Sequence, residues 1–225
     1  MVNRVRVACH IVVVTAFLAY VGTVLAQGDT KQKPKLPSSS IDPGSTDGNV
    51  YTSKALGLRI KYPARMVEDT RDELDRMSQE GLELYKQWDG KDVKVFEALA
   101  NRERSVFGIS TPEDADEPIA SLLLSVVKDT GGELEPMVLR TIKMFTSAPN
   151  VKLTKPAKKV VVAGMTGFQF ELTTEITGIS VRSTIFSTRR NAHLMTFSIT
   201  HIDDHGFEMM EKVLKEIELL PAVKN

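Results

Sequence analysis

Cysteine is nearly missing from this chain. The one residue, Cys9, precedes the apolar run near the N-terminus. It therefore cannot be the lipidated cysteine of a bacterial lipoprotein, which follows that run. No thiol comes after it, which excludes a disulfide, a thiolate metal site and a cysteine nucleophile from the rest of the chain. Charge of either sign is not in excess. The 29 basic and 29 acidic residues give a formal charge of zero, so nothing global draws the protein to nucleic acid or to an anionic membrane. Catalytic signatures are missing too. There is no G-x-S-x-G, no H-E-x-x-H and no phosphate-cradling glycine loop. Carboxylate pairs mean nothing among so many acids without geometry.

What is present begins with a targeting pattern. Arg4 and Arg6 make a short basic start, Ile11 to Ala26 is an uncharged and largely apolar run, and Val24-Leu25-Ala26 suits a signal peptidase. Residues 1–26 read as a cleaved secretory signal peptide. The other reading is a retained anchor helix, for which the run is short. Cleavage removes two bases and no acid, leaving a formal charge of −2, and it removes Cys9. A thiol-free chain suits an oxidising compartment, so the expected location is secreted or periplasmic, with no stable membrane span after cleavage. Residues 27–49 are rich in Gly, Ser, Pro, Lys and Asp, and read as a disordered linker.

Residues 50–221 read as one domain. Leu58, Ile60 and Tyr62 alternate with Arg59 and Lys61 before Pro63, which predicts a strand. Thr70 and Glu73 form a capping-box pattern. Leu74, Met77, Gly81, Leu84 and Trp88 follow at helical spacing, predicting a helix to about Gln87. Residues 91–104 suit a short helix or a strand, with the helix favoured, so a helical insert spans about 70–104. Val106 to Ser110 and the apolar run Ile119 to Val127 read as strands, the second buried on both faces. Leu134, Val138, Ile142 and Phe145 mark a helix. Val151, Leu153 and Val160 to Val162 are strand candidates around Pro156.

Phe168, Phe170, Leu172 and Ile176 then sit at even positions, a half-buried antiparallel strand. Thr177-Gly178 predicts a two-residue turn, pairing Phe170 with Ile185 and Ile176 with Ile179. Keeping Met195, Phe197 and Ile199 on the same face as Ile185 and Val181 requires a three-residue second loop, Arg189-Arg190-Asn191. That loop pairs Ile185 with Met195 and Val181 with Ile199. Gln169, Glu171, Arg182 and Thr184 should face outward. Asp203-Asp204 offers an N-cap for a last helix through Phe207, Met210 and Ile217 to Leu220-Pro221. The order of elements predicts an α+β layered domain.

Leu58-Arg59-Ile60-Lys61-Tyr62-Pro63, the Ala163-Gly164 turn, the three-strand meander and the final helix ending at Pro221 together resemble the PsbP-like superfamily. Bacterial secreted proteins of unknown function share this plan. The resemblance covers roughly Val50 to Pro221, and the insert after Pro63 departs from it. It implies an α/β/α sandwich with a central twisted antiparallel sheet. It also implies a non-catalytic role, since PsbP is a non-catalytic subunit of a photosynthetic complex and other members bind protein partners. The superfamily offers no catalytic residue to carry over.

Three local features compete with structural readings. His201, Asp203, Asp204 and His205 could hold a divalent metal, though capping and solvation explain them more simply. Lys152, Lys155, Lys158 and Lys159 could meet an acidic partner or lipid headgroups, or could protect a strand edge. They lack interleaved aromatics, so nucleic acid is not expected. Met137, Met144, Met209 and Met210, with Phe145 and Phe207, could line an adaptable groove or simply fill the core. The expectation is a non-enzymatic domain without a cofactor that binds or scaffolds a protein partner in the periplasm or cell envelope. The alternatives are a hydrolase or metal-dependent enzyme, and a carrier of a small apolar ligand.

Overall fold

Side-chain alternation along the chain builds two antiparallel sheets in the computed structural model, which describes residues 42–76, 104–112, 118–129, 131–148, 150–176 and 178–221. The smaller sheet holds β1 (Ser45–Asp47), β2 (Val50–Ser53), β3 (Leu58–Lys61) and a late strand, in the order β1-β2-β3-β11. The larger sheet holds β4 (Val67–Glu68), β5 (Arg104–Ser110), β6 (Ala120–Lys128), β7 (Val151–Val162), β8 (Met165–Ile176), β9 (Ile179–Arg190) and β10 (His193–His201). Its order is β4-β5-β6-β10-β9-β8-β7. Helices α1 (Leu134–Phe145) and α2 (Asp204–Lys215) complete the described elements with β11 (Glu218–Leu219). This is an α+β fold. The expected sandwich extends over residues outside the described ones.

The capping box forms as expected. Glu73 Oε2 accepts from the Thr70 N–H at 2.7 Å, and the Glu73 N–H donates to Thr70 Oγ1 at 3.3 Å. Residues 71–76 are helical, and the rest of the expected helix lies outside the described residues. So does most of the insert's second half, except Arg104, which opens β5 as a strand residue. Ordered structure also starts inside the expected linker. Ser45–Asp47 pairs with β2 through a tight turn at Gly48, whose φ of 58° suits glycine. Pro156 does not divide two strands, because β7 runs unbroken from Val151 to Val162 and absorbs Pro156 in register shifts on a sheet edge. The last helix stops at Lys215, and Glu218–Leu219 turns back to pair with β3.

The first hairpin of the meander has the expected register. Phe170 pairs with Ile185 and Ile176 with Ile179, and Gly178 takes φ 82°. The second departs from expectation. Its loop has two residues, Asn191 and Ala192, at φ 48° and 58°, as the favoured tight hairpin turn requires. Ile185 therefore pairs with Ser198, Ile199 with Thr184, and Phe197 with Phe186. The reason is that β9 and β10 are buried on both faces. Thr196, Ser198 and Thr200 occupy interior positions that alternation assigns to solvent, on the same face as Ser183 and Ser187. Cross-strand hydroxyl pairs serve them, Ser183 with Thr200 at 3.4 Å and Ser187 with Thr196 at 3.3 Å.

The main core fills the other face. There Leu122, Leu124, Phe186, Met195, Phe197 and Ile199 meet Leu58 and Ile60 of the small sheet and Met210, Val213 and Leu214 of α2. The second hairpin turn locks the two sheets together. Arg190 donates to the carbonyls of Gly57 at 3.1 Å and Leu220 at 2.6 Å, and Asn191 Nδ2 donates to Ala55 O at 3.2 Å.

Candidate functional site

Residues paired across adjacent strands share a face. On the α2 face of the large sheet, the rows across β7, β8, β9 and β10 read Lys152, Thr173, Arg182, His201, then Lys155, Glu171, Thr184, Ile199, then Lys158, Gln169, Phe186, Phe197. The face thus grades from an apolar core to a polar end beside the start of α2. Glu171 and Thr184 do not face outward as alternation predicts, and both are buried. Burial of Glu171 opposes its charge. Lys155 Nζ at 2.8 Å and Thr154 Oγ1 at 3.0 Å outweigh that cost and hold its pKa below the ordinary value.

His201 is 2% exposed, and its Nδ1 lies 2.8 Å from Asp203 O. A carbonyl only accepts, so Nδ1 carries the proton and Nε2 is a bare acceptor. Nε2 and Thr184 Oγ1 are both buried without a hydrogen-bond partner. The Phe207 ring covers the imidazole at a centroid distance of 5.0 Å. Burial pushes the His201 pKa down, against the Asp203 carbonyl. The folded state therefore binds a proton less readily than the unfolded chain. His201 favours folding above the unfolded value of 6.5, and this contribution is lost as pH falls from there through the folded pKa. The expected result is a drop in unfolding free energy between pH 7 and 5 with a slope of up to ~1.4 kcal/mol per pH unit. Urea titrations across that range should show the His201→Phe variant with a shallower slope. An unchanged slope would contradict this. Glu171 acts in a separate, lower window, below 4.5.

The four candidate metal ligands go separate ways. His201 is buried beneath Phe207 on the α2 face of the sheet. Asp203 Oδ1 accepts from the Gly206 N–H at 2.7 Å and caps α2. Asp204 Oδ1 binds Arg182 at 2.7 Å. His205 lines a groove. Among the described residues no three His, Cys, Asp or Glu side chains are placed to hold a metal ion. The four lysines lie on β7, the end strand of the sheet among the described residues, where only Lys155 has an acidic partner among those residues. Of the methionine and phenylalanine set, Met137, Phe145 and Met210 are core, and Phe207 covers His201. Met209 reaches the groove, and the Met144 side chain lies outside the described residues.

His205 and Met209 meet in a groove. It holds about 550 Å³ between α2 and the end of β3. Helical spacing puts His205, Glu208, Met209 and Lys212 on one face of α2. Lys61, Tyr62, Pro63 and Arg65 form the opposite wall, delivered by the strand that Pro63 ends. The floor is apolar, from the buried Tyr62 and Val213 and the half-buried Met209, and the exposed rim carries Pro63, Lys61, Arg65, Lys212, Glu208 and Glu216. Arg65 reaches across to Met209 Sδ at 3.5 Å. Burial, and then the Glu68 carboxylate at 2.6 Å, raise the Tyr62 pKa, so Tyr62 stays a neutral donor. Sequence reading singled out His205 and Met209 for other reasons and missed the β3 wall. Its one available signal was the Tyr62-Pro63 strand end.

No helix among the described residues is long and apolar enough to cross a membrane. No known family model matches the chain, and no curated protein matches it. Solved structures similar to it include cyanobacterial PsbP from Synechocystis sp. PCC 6803, at 11% identity and TM-score 0.44, covering 83% of this chain and 98% of that one. Another is the immunity protein TplEi of Pseudomonas aeruginosa in complex with a peptide, at 11% identity and TM-score 0.41, covering 73% and 96%. A third is LpqN of Mycobacterium tuberculosis, involved in cell envelope biogenesis, at 14% identity and TM-score 0.39, covering 51% and 72%. These likenesses concern the fold at most.

Proposed function

We propose that this protein is a non-enzymatic, secreted or periplasmic domain that binds a protein partner through the groove between α2 and β3. The observation that carries this reading is the groove itself, an apolar floor ringed by charged side chains. A buried apolar centre with a polar rim is the anatomy of a recognition surface. Glu171 and His201 are buried on the sheet and are not among the groove's lining residues. Tyr62 is held neutral at the groove's floor. The PsbP-like plan, whose members include partner-binding subunits, agrees with the reading, as does the thiol-free chain after Cys9.

The test is affinity capture from the native host with the wild-type protein and a Met209→Glu variant. The substitution places a charge in the groove, and because Met209 also packs against the main core, the variant is compared only after its thermal unfolding is shown to match the wild type. A specific protein captured by the wild type and reduced at least roughly tenfold by the variant is the expected result. Equal capture by both proteins overturns the groove assignment.

A further inference from the structure

His201 and Ala120 are register partners on the α2 face, and together they seat the first turn of α2. Gly206 approaches β6 so closely that a Cβ on it would lie 2.9 Å from Ala120 Cβ. The Phe207 ring lies over the His201 imidazole, and the carbonyl of the N-cap residue Asp203 accepts its Nδ1 proton. Arg182, the register partner of His201 on β9, reaches Asp204 beside them. The rest of α2 is held separately. Met210, Val213 and Leu214 are buried in the main core, whereas Phe207 is half-buried.

A second proton on this ring finds no partner in the seated turn. No acceptor among the described residues lies within hydrogen-bond distance of Nε2, and Thr184 Oγ1 on the same face is also unbonded, so the two do not pair. The charged groups around the ring among the described residues are Arg182 from β9, Glu171 from β8, and Asp203 and Asp204 from the start of α2, while β6 offers only Ala120. All three acids are engaged. Glu171 is held by Lys155 and Thr154, Asp203 by the Gly206 N–H, and Asp204 by Arg182. Arg182 repels another cation. A charged imidazole here gains by reaching water.

We infer that His201 is a proton-operated latch for the first turn of α2. Uptake of a proton at Nε2 unseats Asp203–Phe207 from the sheet and slackens the end of the groove that carries His205, while the core half of α2 stays in place. That a partner then leaves rests on the reading of the groove as the binding site. Once the turn opens, His201 is hydrated and regains its ordinary proton affinity, near pH 6.5. Opening therefore takes up a proton, and its equilibrium constant rises by up to about tenfold per pH unit below 6.5, until the seated ring itself titrates.

The test is amide hydrogen exchange of the full chain at pH 7 and 5, with each rate divided by the intrinsic rate at that pH. The Gly206 and Phe207 amides, which donate to Asp203, should lose protection roughly tenfold, while Met210–Lys215 and β10 keep theirs. A His201→Phe variant should show the same protection at both pH values. A His205→Gln variant should open like the wild type. Nitrogen-15 NMR of the wild-type histidine rings gives a reading that needs no variant, since protonation of His201 Nε2 should coincide with the loss of protection. Equal protection at the two pH values, an equal loss in His201→Phe, or a protonated His201 under a turn that stays protected would each overturn the latch. A turn that opens as described while a captured partner stays bound at pH 5 supports the latch and overturns the groove assignment.

Discussion

The Phe197→Ala variant is expected to lose about 3–5 kcal/mol of unfolding free energy, the usual cost of emptying a buried aromatic site. Phe197 is fully buried in β10, the central strand of the large sheet. Its ring stacks on Phe186 of β9 at a centroid distance of 6.2 Å. It belongs to the cluster in which the large sheet meets α2 and the small sheet, so the cavity opens where three elements converge. Backbone ladders on both sides of β10 limit collapse into it. The loss is large against the 5–15 kcal/mol typical of a whole domain. Urea unfolding of Phe197→Ala, Phe186→Ala and the double variant should show less than additive losses, with a coupling of about 0.5–1.5 kcal/mol from the ring pair. A single-variant loss under about 1 kcal/mol would mean that the site can close, and that the register placing Phe197 against Phe186 is wrong.

Gly167→Ala is expected to destabilise by about 1–3 kcal/mol, the cost of overpacking a filled interior. This runs against the general rule, since alanine in a strand normally improves on glycine by about 0.5–1 kcal/mol. At Gly167 a Cβ would lie 2.2 Å from the Ser187 carbonyl oxygen and 2.6 Å from a ring carbon of Phe186. The oxygen belongs to the backbone of a paired strand, so relief requires β8 and β9 to shift together. The Phe186 ring occupies the space that glycine leaves, a device that seats an aromatic over a strand glycine. Thermal unfolding compared with the wild type checks the sign, and an unchanged or raised midpoint would contradict the packing described.

Legibility in the sequence tracked how one-sided each element is. The first hairpin could be read because Phe170, Leu172 and Ile176 occupy alternate positions and Gly178 supplies a left-handed turn residue. The second could not, because hydroxyl side chains stand in for apolar ones inside the sheet. Serine and threonine at the even positions of β10 look solvent-facing to an alternation rule, yet Thr196, Ser198 and Thr200 are at most 4% exposed. The Thr196 and Thr200 hydroxyls pair with Ser187 and Ser183 across strands, a fact set by register and invisible to composition. The capping box at Thr70 and the N-cap at Asp203 were readable because their physics is local. The groove was not, since Lys61 and Arg65 come from one end of the domain and Lys212 from the other. The lysine stretch was visible as charge alone. Its division between two faces of β7 depends on the bulged register with β8.

A partner seated between α2 and β3 must leave its footprint on the two walls of the groove. Hydrogen exchange on the captured complex, compared with the free protein, tests it most directly. Slowed exchange concentrated in Tyr62–Arg65 and His205–Glu216 is the predicted result. Protection elsewhere, with these two segments exchanging as in the free protein, would contradict it.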